Sequence, residues 1–146
     1  MTPLGFRSPH DPGGSARSKP RTPRRAILVF VRAPQPGRVK TRLAAGVGDR
    51  AALRIYTRLA EHTLAEVRAL AAEDVVIRVH YAPADAGDAV RAWLGAGPLY
   101  LPQADGDLGM RMKDAFARAF ADGAEQVVIV GSDLPEVSAP LLRRAF

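Results

Sequence analysis

The chain has 146 residues, with 21 lysines and arginines against 15 aspartates and glutamates, and no cysteine. That length suits one domain, and a 47% apolar content is enough for a core, which excludes wholesale disorder. Without cysteine there is no disulfide framework, thiol nucleophile, iron–sulfur cluster or cysteine-type zinc site, and no run approaches the roughly 18 apolar residues of a membrane span.

The net charge of +6 is unevenly spread. Residues 1–25 hold Arg7, Arg17, Lys19, Arg21, Arg24 and Arg25 against Asp11 alone, so this stretch carries +5 and the remainder only +1. It is rich in proline, glycine, serine and arginine, with Phe6 its single large aromatic. Such a segment cannot bury enough apolar surface to offset its ordering entropy, and a disordered basic tail over 1–25 is expected. No aromatics interleave with the cations as base stacking would favour, so the composition argues against a nucleic-acid partner. The segment also lacks the apolar middle of a signal peptide, and a cytoplasmic location is expected.

The ordered domain is expected over 26–146. It opens on Ala26-Ile27-Leu28-Val29-Phe30-Val31, a short apolar run that reads as a strand buried on both faces. A loop follows to about Gly48, and Asp49 is placed to cap a long helix with apolar positions Leu53, Tyr56, Ala60, Leu64, Val67 and Ala71. Val75–Tyr81 reads as a second strand, Asp88–Leu94 as a short helix and Leu99–Leu101 as a third strand. Asp105 or Asp107 can cap the next helix, whose stripe is Leu108, Met112, Ala115, Phe116, Ala119 and Phe120. Gln126–Val130 is a fourth strand, and Ser138 can cap a last helix over Ala139–Phe146. Alternating strands and helices imply right-handed βαβ units and a Rossmann-like, three-layer α/β/α fold with a mostly parallel sheet.

Ligands of open parallel sheets bind beyond the carboxyl ends of the strands, where strand order reverses. Two segments stand in such places. In Arg32–Leu43, Gly37 permits close backbone approach, while Arg32, Arg38, Lys40 and Arg42 can neutralise phosphates. If Thr41 opens a helical turn, its free N–H groups add anion affinity. The segment is not a P-loop, because Val39 stands where that motif needs the glycine before its lysine. In Gly131-Ser132-Asp133, a carboxylate follows a buried strand, and Asp133 can ligate Mg²⁺ or Mn²⁺ with phosphates and water. A third segment, Gln103 to Arg111, offers Gln103 and Asp107 as ligand contacts, with helix capping the competing role of Asp107. His10, His62 and His80 lack metal-ligand spacing.

Three of these stretches carry a resemblance. Ile27 to Leu43, ending Pro36-Gly37-Arg38-Val39-Lys40-Thr41-Arg42-Leu43, resembles the opening signature of the bacterial glycosyltransferase-A-like transferases of the radical-SAM/selenodomain-associated type. Gln103 with Gly106-Asp107-Leu108-Gly109-Met110-Arg111-Met112, and Val128 to Pro135, match further motifs in the same order. The resemblance implies a nucleotide-diphospho-sugar transferase fold and a nucleotide or nucleotide-sugar partner. It also implies Lys40 and Arg42 near the phosphates and Asp133 near a divalent metal. Metal-dependent transfer from a nucleotide-sugar is the expected activity. Pyrophosphate-releasing nucleotidyl transfer, and an inactive nucleotide-binding fragment, are the alternatives. Family members continue beyond the helix at Leu141–Phe146, so the fold is expected to be incomplete at the C-terminus. Self-association through an uncovered edge would follow.

Overall fold

The computed structural model describes residues 24–146, and the expected tail lies outside the described residues except at its end. There, Arg25 already belongs to strand β1 (Arg25–Arg32), and its Nε donates to Gln126 Oε1 at 2.9 Å. The strand thus starts one residue earlier than its apolar run, because the ladder extends past that run.

After β1 come helices α1 (Thr41–Val47) and α2 (Asp49–Arg68), strand β2 (Val75–Ala82), helix α3 (Gly87–Leu94) and strand β3 (Leu99–Pro102). Helix α4 (Leu108–Ala121), strand β4 (Gln126–Gly131) and helix α5 (Ala139–Ala145) complete the described chain. The strands form a parallel sheet in the order β3-β2-β1-β4. The fold is α/β, with helices on both faces. Ile27, Val29 and Val31 pack with Leu64 and Val67 of α2, Val90 and Leu94 of α3, and Ala139 and Leu142 of α5. Ala26 and Leu28 point to the opposite face, against Ala115 and Ala119 of α4. Side chains alternate along a strand, so β1 is buried on both sides and reads as a continuous apolar run.

Local chemistry explains most element boundaries. Asp107 caps α4, its Oδ1 accepting from the Met110 amide at 2.8 Å, and Ser138 Oγ accepts from the Leu141 amide at the start of α5. Asp49 does not cap α2. Gly48 occupies the cap position with φ 84°, and Asp49 is the first helical residue. A short α1 occupies the last part of the expected loop, and α2 ends before Ala71, which is exposed in a 3-10 turn. Of the α4 stripe, Ala115 and Ala119 are buried while Leu108 and Phe120 are 64% and 49% exposed. Among the described helices none is long and apolar enough to cross a membrane.

The segment between β4 and α5 is tied down from α2. His62 Nε2 lies 3.0 Å from the Val137 carbonyl oxygen, and Glu66 Oε2 accepts from the Ala139 amide at 2.7 Å. These ties hold the far end of the segment, at Val137 and Ala139.

Candidate functional site

β1 lies between β2 and β4, and the chain reaches β4 only after crossing back from β3. The order of the sheet therefore reverses between β1 and β4, and a cleft of about 550 Å³ opens beyond their carboxyl ends. Arg32, Lys40, Gln103, Asp107 and Asp133 line it, five residues drawn from three separate stretches of sequence.

The loop after β1 is shaped by its backbone. The Gln35 amide donates to the Ala33 carbonyl at 2.8 Å and the Arg38 amide to Gln35 at 3.1 Å, which folds the chain back on itself. Gly37 holds φ 72°, a conformation that a side chain disfavours. Val39, only 4% exposed, anchors the loop. Lys40 then adopts φ 50°, ψ 45°, the left-handed region, directly before α1. For a residue with a Cβ this costs about 1–2 kcal/mol, and such strain gathers at functional sites.

The strained backbone aims Lys40 across the cleft. Its Nζ donates to Asp133 Oδ2 at 2.8 Å, joining residues 93 positions apart. Asp133 Oδ1 has no hydrogen bond among the described residues. A Cβ on Gly131 would stand 3.1 Å from that oxygen, so the glycine leaves room for the carboxylate.

Gln103 and Asp107 line the cleft, with Gln103 engaged through both its amide atoms and Asp107 through one carboxylate oxygen. Gln103 Nε2 donates to the carbonyls of Val31 (3.2 Å) and His80 (3.0 Å), closing the ends of β1 and β2. Its Oε1 accepts from Arg111 Nη1 at 3.3 Å, so Gln103 orients a cation at the cleft wall. Asp107 spends Oδ1 on the α4 cap. Gly37 shapes the loop, and Thr41 and Arg42 stand exposed on α1 outside the cleft. Residues two apart at a helix start point to different sides, which separates Arg42 from Lys40. Arg38 also leaves the cleft and lines a neighbouring hollow.

Three cleft residues escape the sequence reading of the site: Tyr56, Ser132 and Arg111. Tyr56 belongs to the apolar stripe of α2, but a buried tyrosine hydroxyl needs partners, and that requirement is the signal that it reaches polar ground. Its hydroxyl accepts from the Arg32 amide at 2.7 Å, donates to the Arg32 carbonyl at 2.9 Å and lies 3.4 Å from Ser132 Oγ. One phenol thus clamps the end of β1 to the end of β4. Burial pushes its pKa up, opposed by the hydrogen bond to Ser132. Tyr56→Phe should therefore cost about 1 kcal/mol in urea denaturation. An unchanged midpoint would show that water satisfies Arg32 equally well.

The fold and the cleft define a class, a parallel α/β domain with a cation-rich crevice at its switch point. More particularly, the profile of a bacterial family, DUF2064 (uncharacterized protein conserved in bacteria), matches residues 63–146, and the chain belongs to that family. Among solved structures, a proposed nucleotide-diphospho-sugar transferase from Desulfovibrio desulfuricans G20 is similar at 36% identity and a TM-score of 0.72. The match covers 84% of this chain and 53% of that one, so the chain spans about half the length of this relative. Among curated proteins none matches it.

Proposed function

We propose that this domain binds the nucleotide-diphospho-sugar donor of a transferase, with the donor's diphosphate in the cleft between β1 and β4. One observation carries the reading: the Lys40–Asp133 pair, a cation and an anion delivered to one point by two separate loops at the switch point. The likeness to the Desulfovibrio protein supports the donor class. The three ordered motifs suit sugar transfer and nucleotidyl transfer alike, since both use the same loop and metal, and the Desulfovibrio protein is what favours a nucleotide-sugar.

In this reading Lys40, Arg32 and Arg111 face the diphosphate, and their charge offsets what builds on it as the sugar's anomeric carbon–oxygen bond breaks and the acceptor bonds to that carbon. The diphosphate competes with Asp133 for Lys40, which frees both carboxylate oxygens. No group of three or more acidic or histidine residues able to hold a metal exists among the described residues. A magnesium or manganese ion bound chiefly through phosphate and water needs only one or two protein carboxylates, and Asp133 fits that demand. Such an ion would add positive charge at the leaving diphosphate.

Mixing the protein with nucleotide-sugars and nucleoside triphosphates, with manganese present, tests the reaction. Release of nucleoside diphosphate supports sugar transfer. Pyrophosphate instead would assign nucleotidyl transfer. Absence of any nucleotide binding by calorimetry would remove both.

A further inference from the structure

A second hollow opens on the other side of the β1 loop, beyond the paired ends of β1 and β2, where Arg32 lies opposite Ala82. Its volume is about 180 Å³, and Arg32, Arg38 and Arg111 line it together with Gln35 and Pro83. We propose that this hollow is a second anion site, which takes a phosphate-monoester group of the second substrate. Assignment of the anion to a second substrate rests on the transferase reading above, whereas the anion site rests on the hollow alone.

The electrostatics of the lining are one-sided. Three guanidinium groups share one small space, no aspartate or glutamate lines it, and none of the three forms a salt bridge among the described residues. Like charges gathered without a counter-ion repel one another and concentrate a field that draws in anions. Arg111 is also held in place before any ligand arrives. Its Nε donates to the Gly106 carbonyl at 2.8 Å and its Nη1 to Gln103 at 3.3 Å, which leaves Nη2 without a hydrogen bond among the described residues. A pre-positioned guanidinium loses less freedom on binding.

Size selects a group rather than a whole molecule. Pockets for drug-sized ligands run from about 300 to 1,000 Å³. The switch-point cleft, at about 550 Å³, falls in that range, and the hollow, at about 180 Å³, falls below it. Number of oxygens selects among anions. Guanidinium groups suit carboxylate and phosphate alike, but the free forks of Arg32 and Arg38 together with Nη2 of Arg111 offer more donors than the roughly four lone-pair sites of a carboxylate accept, and they suit the three terminal oxygens of a phosphate monoester. Lys40 lines only the cleft and Arg38 only the hollow, while Arg32 and Arg111 line both. An anion in the hollow would therefore sit one arginine away from the donor's diphosphate, within reach of a substrate that shares the cleft.

Titration of the whole chain with inorganic phosphate and with methyl phosphate, followed by NMR at the Arg38 Nε–H and the Gln35 amide, tests the site. Shifts at both positions should saturate with a Kd below about 1 mM. Arg38→Gln should weaken binding at least tenfold and Arg38→Lys less, because lysine keeps the charge but loses the fork. Arg38 is exposed, so neither change endangers the fold. Lys40→Ala should change phosphate affinity by less than twofold, and uridine or guanosine diphosphate should bind without displacing phosphate. Phosphate affinity unchanged in Arg38→Gln overturns the proposal. So does a loss shared equally with Lys40→Ala, which would place the ion in the cleft. Acetate binding as tightly as methyl phosphate would overturn the choice of anion. Failure of the transferase reading shows separately, as nucleoside diphosphates that do not bind while phosphate still shifts Arg38.

Discussion

Lys40→Ala should lower the affinity for a nucleoside diphosphate about ten- to a hundredfold, with manganese or with chelator. A hydrogen bond to a charged group contributes about 1.5–3 kcal/mol, and each 1.4 kcal/mol is tenfold in affinity. Asp133→Asn should behave differently, because Asp133 holds Lys40 at 2.8 Å. Removing the carboxylate frees Lys40, so affinity in chelator should stay level or rise. With manganese it should fall at least tenfold, because a hard cation loses its protein oxygen. A loss confined to the manganese buffer separates the roles of the two residues. Equal losses for Asp133→Asn in both would instead make it a structural partner of Lys40. Lys40→Gly adds a control on the backbone. Glycine adopts φ 50° without penalty, so this variant should bind as poorly as Lys40→Ala yet melt higher, by about 1 kcal/mol of stability. Calorimetry and thermal melting read the two effects independently.

Acidification should destabilise the domain through His80. This imidazole is 1% exposed, stacks on Phe30 with ring centroids 5.4 Å apart, and its Nε2 has no partner among the described residues. Burial, and then the charges of Arg78 and Arg118, depress its pKa to about 4, with Asp114 opposing. In the unfolded chain a histidine titrates near pH 6.5, so between that pH and about 4 the unfolded state binds the proton first. Stability contributed by the neutral ring is therefore complete above about pH 6.5 and falls as pH drops, by about 2 kcal/mol at pH 5 and about 3 kcal/mol near pH 4. His80→Phe keeps an aromatic ring against Phe30 and has nothing to titrate. The wild-type minus variant difference in urea midpoints should thus shrink or reverse in favour of the variant as the pH falls from 7.5 to 5. A difference constant with pH would show that the ring reaches water when protonated.

Much of the architecture was legible in residue order. The apolar run at Ala26–Val31 identified a strand covered on both faces, and Ala115 with Ala119 against Ala26 and Leu28 shows the second cover in place. Asp107 and Ser138 stood as caps by residue type and position, since a cap needs only its own helix. Asp49 misled because Gly48, with its positive φ, takes the cap position instead.

The candidate site divides along the same line. Chain order alone indicated the loop after β1 and the aspartate after β4, because in a parallel sheet every such loop emerges at one edge. It did not indicate that Lys40 meets Asp133, that Arg38 and Arg42 turn away from it, or that Tyr56 clamps both strand ends. Those depend on a left-handed residue before α1 and on the packing of α2 beneath the crevice. Periodicity and capping are interactions between near neighbours, and the amino-acid sequence by itself determined them: the parallel α/β layering and the edge at which the loops after β1 and β4 emerge. Direction of a side chain across a cleft is set by contacts between residues far apart in the chain, and only the tertiary structure decided which cations share which hollow.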